Sequence, residues 1–375
     1  MPRPFVRSVV ALLLVVSGAV AARPPLGDPH NAATWYLEAI DALQVLTDED
    51  RIYVADVLER HLPPTPRLRE ILARAAPALR AAERGAQEAR ADFNLQYEQG
   101  FELLLPHLSQ LRMMARLMAV DANVRLHDGN TSGAAARLTS MYQMGRHVTS
   151  DRILISSLVG QSIFSVSDAN VQFGLDQAAF TPNDLALIRD GLADFSGHDP
   201  FGFVEGVIME QELFLHYVGE HAADEGFMQN IGGALGEDDP TLANLSPEQI
   251  QDMLGRTDRL IDQVVETFQM DDRDAARARL ADLMREVEAG EHGHLAMLLI
   301  PAYTRILDNM YKGEDQLAAR LAQLDRVVEG RSTILAESNG AFFYARAIEL
   351  LHAHDADDLA AALAGRPAPG AVDAE

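Results

Sequence analysis

Two apolar stripes separated by a three-residue stop constrain this chain more than any other feature. In 108–126, LSQLRMMARLMAVDANVRL, the residues Leu111, Ala115, Met118, Ala122 and Leu126 recur at steps of three and four, forming one face of a helix. Asp128-Gly129-Asn130 ends that helix, with Gly129 suited to the left-handed position just past a helix C-terminus. Asn130 or Thr131 can cap the next helix, where Ala134, Leu138, Met141, Gly145 and Val148 form a second stripe. Two such faces joined by so short a turn must fold against each other as an antiparallel hairpin. The small residues Ala115, Ala122, Ala134 and Gly145 suit a close approach.

The same periodicity runs through the rest of the chain, and few segments alternate at period two. NAATWYLEAIDAL (31–43) reads as a helix capped by Asn31, and PPTP (63–66) breaks the chain. A helical stretch is expected from Pro66 to Leu105, with Pro77 as a possible interruption. From Ser150 onward, ILISSLVGQSIFSVSDANVQFGL is apolar nearly all round and reads as a buried inner helix. Thr181-Pro182-Asn183-Asp184 opens a helix to Phe195, and 203–221 is helical. Ser246-Pro247-Glu248-Gln249 forms a capping box for the next helix. Further helices are expected over 272–289, 294–312 (bent at Pro301), 314–336 and 341–363. About twelve helices and no convincing strand make the fold all-α, with antiparallel hairpins stacked as a tetratricopeptide-like solenoid or as an irregular bundle.

The ends set an expected location. Arg3 and Arg7 precede the apolar run Val9–Val16, and Ala19-Val20-Ala21 offers a small-residue cleavage site, the layout of a secretory signal peptide over 1–21. From Val9 to Ala22 the run is shorter than the roughly 18–20 residues of a spanning helix. Export to a periplasmic, envelope or extracellular site is therefore expected, with no transmembrane segment after the signal peptide. The expected organisation is a helical-hairpin region over 22–223, an acidic Gly-rich loop over 224–246, a second helical region over 247–364 and a disordered tail over 365–375.

Composition narrows the function classes. The chain has no cysteine, which excludes disulfides, thiolate nucleophiles and thiolate metal sites. The net charge is −25 and becomes −27 once Arg3 and Arg7 leave; the one lysine is Lys312. This balance disfavours nucleic-acid backbones and anionic lipid surfaces. No G-x-S-x-G elbow, Walker A loop, HExxH or EF-hand spacing occurs. Ser156, Ser157 and Ser162 lie in the apolar helix and are expected to bond back to its backbone or to pack against small neighbours. His292/His294 and His352/His354 are pairs at helix ends, where histidine suits the helix dipole.

The metal candidate is Glu212, His216 and Glu220, at i, i+4 and i+8, which present two carboxylates around an imidazole on one helix face. Carboxylate and histidine ligands of that kind serve zinc or di-iron bundles, although the bundle pattern Glu-x-x-His is absent. A solvated face holding an i,i+4 Glu–His pair is the competing reading.

The hairpin 111–148 resembles a tetratricopeptide-type unit. Gly129-Asn130 followed by Ala134 stands where that family has Gly-Asp-x-x-x-Ala, and no second copy follows at a 34-residue period. Four segments are similar to a family of uncharacterised exported bacterial all-helical proteins: NAATWYLEAI, PHLSQLRMMARLMAVDANVRLHDGNTSGAAARL, RHVTSDRILISSLVGQSI and LLIPAYTRILDNMYKGEDQLAARLA. That resemblance implies an all-α exported protein and carries over no activity. The expected function is a non-enzymatic module that binds a protein or peptide, or acts as a scaffold, without a cofactor. The alternative is a divalent-metal-binding bundle or metal-dependent enzyme built on Glu212, His216 and Glu220.

Overall fold

A computed structural model describes residues 28–60, 62–195, 197–222, 224, 246–292 and 294–336. Among them the chain is all-α, with eleven α-helices packed against one another. They are α1 (Ala32–Ala42), α2 (Asp48–Glu59), α3 (Pro66–Gln87), α4 (Pro106–His127), α5 (Thr131–Thr149), α6 (Leu154–Asp176), α7 (Pro182–Ala193), α8 (Phe203–His221), α9 (Pro247–Phe268), α10 (Arg273–Glu288) and α11 (His294–Ala336). Short 3₁₀ turns occupy Leu43–Val45 and Tyr97–Glu102. None of the described helices is long and apolar enough to cross a membrane. The signal peptide, most of the acidic loop, the last helix and the tail expected from the sequence lie outside the described residues, as do His352 and His354.

The hairpin forms as its residues dictate. Gly129, at φ 77°, donates its N–H to Leu126 O at 3.1 Å, and Asn130 N–H reaches Arg125 O at 2.8 Å. These are the paired closing bonds of a Schellman C-cap, which satisfy carbonyls that α4 would otherwise leave open. Asn130 is the N-cap of α5, its Oδ1 accepting from Gly133 N–H at 3.0 Å. Thr131 instead donates its hydroxyl to Asp184 Oδ2 at 2.9 Å, which ties the start of α5 to the capping box of α7.

α4 is buried on several sides, with Leu111, Met114, Leu117, Met118, Ala119 and Ala122 all inaccessible to solvent. It packs against α5, α6, α3 and α2, so the hairpin is the interior of the molecule. Gly145 faces α6 and not α4. A Cβ there would lie 3.0 Å from Gly160 O, and one on Gly160 would lie 2.7 Å from Gly145 O. The pair therefore sets the close α5–α6 approach, which a side chain at either glycine would push apart.

Three expectations are corrected. The stretch 66–105 is not one helix: α3 runs unbroken through Pro77 but stops at Gln87, and 88–96 is irregular. Pro77 lies on the exposed face, so the carbonyl it leaves without an N–H partner faces water and α3 continues. Residues 294–312 and 314–336 form one helix, α11. Gly313 does not end it. A Cβ at that position would meet Phe201 at 2.6 Å and Gln161 Nε2 at 2.7 Å, so the glycine serves packing. The serines of α6 bond outward: Ser156 Oγ reaches the Asp151 carboxylate at 2.9 Å and Ser157 Oγ reaches Gly202 O at 3.0 Å.

α8 to α11 form the C-terminal part, joined to the rest by α8 on the 3₁₀ turn Tyr97–Glu102 and on α6, and by α11 on α7 and α6. Arg320 of α11 is buried and pairs with Asp168 of α6 at 2.5 Å, where Tyr142 OH also donates at 3.4 Å. Gln161 Nε2 donates to Asn309 O at 2.6 Å. One apolar cluster extends from Ala32 to Val327.

Candidate functional site

Chemistry-bearing side chains concentrate beneath segment 88–97, which is irregular up to the 3₁₀ turn that begins at Tyr97. This segment lies across the N-terminus of α1, the end of α5 and the start of α4. Asn31, which also caps α1, holds Asp92 by two reciprocal bonds of 2.8 Å, Nδ2 to Asp92 O and Asp92 N–H to Oδ1. Ala32 N–H donates to Arg90 O at 2.8 Å and Ser150 Oγ to Ala91 O at 2.8 Å. The Tyr97 hydroxyl donates to Asp151 O at 2.7 Å, and Arg90 pairs with Asp28 on the surface. Asn94 and Arg152, on either side of the contact, adopt positive φ of 52° and 55°. Such backbone costs energy in a non-glycine residue and persists only where the surroundings enforce it.

Beneath the segment four rings form a column. Phe93 stacks on His107 with centroids 4.2 Å apart and runs nearly parallel to Tyr36 at 6.4 Å; Tyr36 in turn meets His147 at 5.8 Å. At one end His107 Nε2 lies 2.9 Å from Asp151 Oδ2, the same oxygen that accepts from Ser156. At the other end Tyr36 OH and His147 Nδ1 share a hydrogen bond of 2.8 Å. All six side chains are buried.

The two histidines have different surroundings. His107 faces a carboxylate. His147 faces a phenol, and its Nε2 is buried with no hydrogen-bond partner. Burial, reinforced by the Arg146 guanidinium, brings the His147 pKa down to about 4, against the opposing pull of the Glu88 carbonyl and Asp194. Burial also lifts the Tyr36 phenol well above its ordinary range and raises Tyr97 to about 12. At neutral pH His147 is therefore a neutral ring.

Ser156, Asp151 and His107 contain the residue types of a hydrolytic triad in the wrong order. The hydroxyl donates to the carboxylate and not to the imidazole, so the imidazole is not placed to take its proton as the base of such a triad does. The carboxylate is shared between two donors from different elements, an arrangement that joins α4, the α5–α6 turn and α6.

A second buried network lies within the hairpin. Arg137 is 2% exposed; its Nε donates to Asp121 Oδ2 at 2.9 Å and its guanidinium reaches Leu79 O and Glu83 at 3.1 Å each. Arg125 adds a 2.7 Å bond to the same Asp121 oxygen. α3, α4 and α5 are thus joined through one guanidinium.

On α8, the metal candidates of the alternative reading lie on the solvent face. His216 Nε2 is 3.4 Å from Glu220 Oε2, with both side chains more than half exposed, and Glu212 is exposed one turn earlier. Among the described residues no group of three or more His, Asp or Glu is placed to hold a metal ion. The neighbouring Glu210 points the other way. Its carboxylate accepts from Leu154 N–H at 3.0 Å and so caps α6, whose own N-cap residue, Ile153, has no polar side chain. Burial brings the Glu210 carboxyl up to about 7. His292 is engaged by Glu286 at 3.1 Å.

Sequence reasoning missed the ring column because its four members lie far apart in the chain, at positions 36, 93, 107 and 147, with the Asp151 partner of His107 further on. No spacing rule connects them. The available signals were single polar residues at the edges of apolar stripes, such as His147 next to Val148. No family model, curated protein or solved structure matches the chain. The likeness to an exported helical family therefore rests on the quoted segments alone.

Proposed function

We propose that this chain is an exported, non-enzymatic helical scaffold that binds a protein or peptide on its helical surface, with the hairpin 111–148 as the unit of a tetratricopeptide-like stack. The observation that carries this reading is the use made of the buried polar groups. Ser156 and His107 both bond Asp151, Arg137 bonds Asp121 and Glu83, and Arg320 bonds Asp168. Each set joins two or more helices or their connecting turns, which is the work of a rigid frame. The strongly acidic composition supports a partner surface bearing arginine or lysine. Crosslinking of the mature protein in envelope extract, followed by a binding isotherm with the purified partner, tests the reading. Saturable, salt-sensitive binding that survives Ser156→Ala and His107→Gln is the expected result. A substrate turnover abolished by either substitution would overturn it.

A second reading keeps Glu212, His216 and Glu220 as a divalent-metal patch, motivated by the 3.4 Å contact between His216 and Glu220. Zinc titration by calorimetry decides it: one equivalent bound, and lost in His216→Ala, supports the patch. No heat above dilution removes it.

A further inference from the structure

We infer that segment 88–97 is an acid-released clasp, held shut by the neutral His147 ring beneath it and loosened when that ring gains a proton. The geometry supplies both the trigger and the moving part. His147 is 2% exposed, with one nitrogen on the Tyr36 hydroxyl and the other completing no hydrogen bond, although the Glu88 carbonyl, at the start of the segment itself, acts on the ring and favours its charged form. The charged ring carries an N–H on both nitrogens in a site that provides one hydrogen-bonded oxygen, so charging it in place is costly. The groups acting on the ring are few. Arg146 on α5 opposes the charge, while Asp194 at the end of α7 and the Glu88 carbonyl favour it without completing a hydrogen bond. Tyr36 is the titratable group from α1. His107 and Asp151 lie across Phe93 and bond each other, and the Glu88 side chain pairs with His30 at 3.7 Å. None of these supplies a carboxylate in contact with His147.

The walls around the ring differ in strength. α5 is packed between α4, α6, α7 and α3, whereas the segment above the column is irregular and held by a handful of hydrogen bonds, one exposed ion pair and the packing of Phe93, Ala91 and Leu95. Local opening follows the least-bonded wall. Lifting the segment removes Phe93 from the column and brings water to the unpartnered nitrogen. The ring is held down to about 4 when closed and returns toward 6.5 when wetted. The sign follows: the clasp is closed above pH 6.5 and released as the pH falls from 6.5 toward 4.

Hydrogen exchange by mass spectrometry on the intact chain at pH 7 and pH 4.5, corrected for intrinsic rates, tests this. The opening equilibrium of peptides within 88–97 rises about fiftyfold between the two pH values, while peptides within 154–176 stay protected. In His147→Asn, whose amide oxygen can take the place of Nδ1 toward Tyr36, the rise falls below about fivefold. Equal rises in wild type and variant overturn the proposal. If the variant does not fold, the wild type still decides: parallel loss of protection in 88–97 and 154–176 means global acid unfolding and overturns the clasp.

Discussion

Two buried polar networks anchored on α5, one at Arg137 and one at His147, solve the same problem with opposite chemistry. Around Arg137 a permanent charge is buried and answered by Asp121, Glu83 and a backbone carbonyl, so every strong charge has an opposite. The His147 ring itself is neutral at neutral pH, and one of its nitrogens completes no hydrogen bond. The first network binds α3 to the two helices, α4 and α5, that the tight turn already pairs. The second fastens an irregular segment onto them. A fully paired network is insensitive to mild acid but intolerant of losing one member. A neutral, half-paired one tolerates trimming but responds to protons.

A large effect should come from breaking the paired network. Arg137→Ala leaves Asp121 with Arg125 alone, removes the partner of Glu83 and of the Leu79 carbonyl, and is expected to cost about 2–3 kcal/mol in urea unfolding. A cost below about 1 kcal/mol would mean that the network is decorative.

Next comes the pH response of the other network. His147 has a folded pKa near 4, below the ordinary histidine value, so its contribution to stability is complete above pH 6.5. Between pH 6.5 and 4 about 3 kcal/mol should be lost, as the unfolded chain takes up a proton that the folded chain refuses. Glu210 acts with the opposite sign. Its folded pKa of about 7 lies above the ordinary carboxylate value, so its contribution is present below pH 4.5 and fades as the pH rises through 7. Glu210→Gln should therefore raise stability at pH 8 by about 2 kcal/mol, a figure reduced for partial exposure, with little change at pH 4. Thermal melts at the two pH values check it.

Smaller effects sharpen the contrast. Tyr36→Phe removes the hydroxyl partner of His147 and should cost about 1 kcal/mol, measured by urea unfolding at pH 7. Gly129→Ala strains the left-handed turn between Arg125 and Arg137 by about 1 kcal/mol, measurable in the same way.

The hairpin was legible because its information is local: a stripe, a Gly in a C-cap, an Asn in an N-cap. The α8 boundaries and the capping boxes at Thr181 and Ser246 were legible for the same reason. α2 passed unrecognised although Thr47 and Asp50 form an equally clear box, because its apolar face is short, with Val54 and Val57 as its buried apolar residues. The ends of α3 and the continuity of α11 depend on exposure at Pro77 and on what packs against Gly313, neither of which a single sequence displays. The metal candidates were visible as a spacing, while the ring column had no spacing to see.

The contrast between the networks rests on His147 being buried neutral. Urea unfolding of the wild type and of His147→Asn at intervals from pH 7 to pH 4 tests this directly. The wild type should lose about 3 kcal/mol more than the variant across that range, with the divergence beginning near pH 6.5. Parallel curves for the two proteins would contradict it.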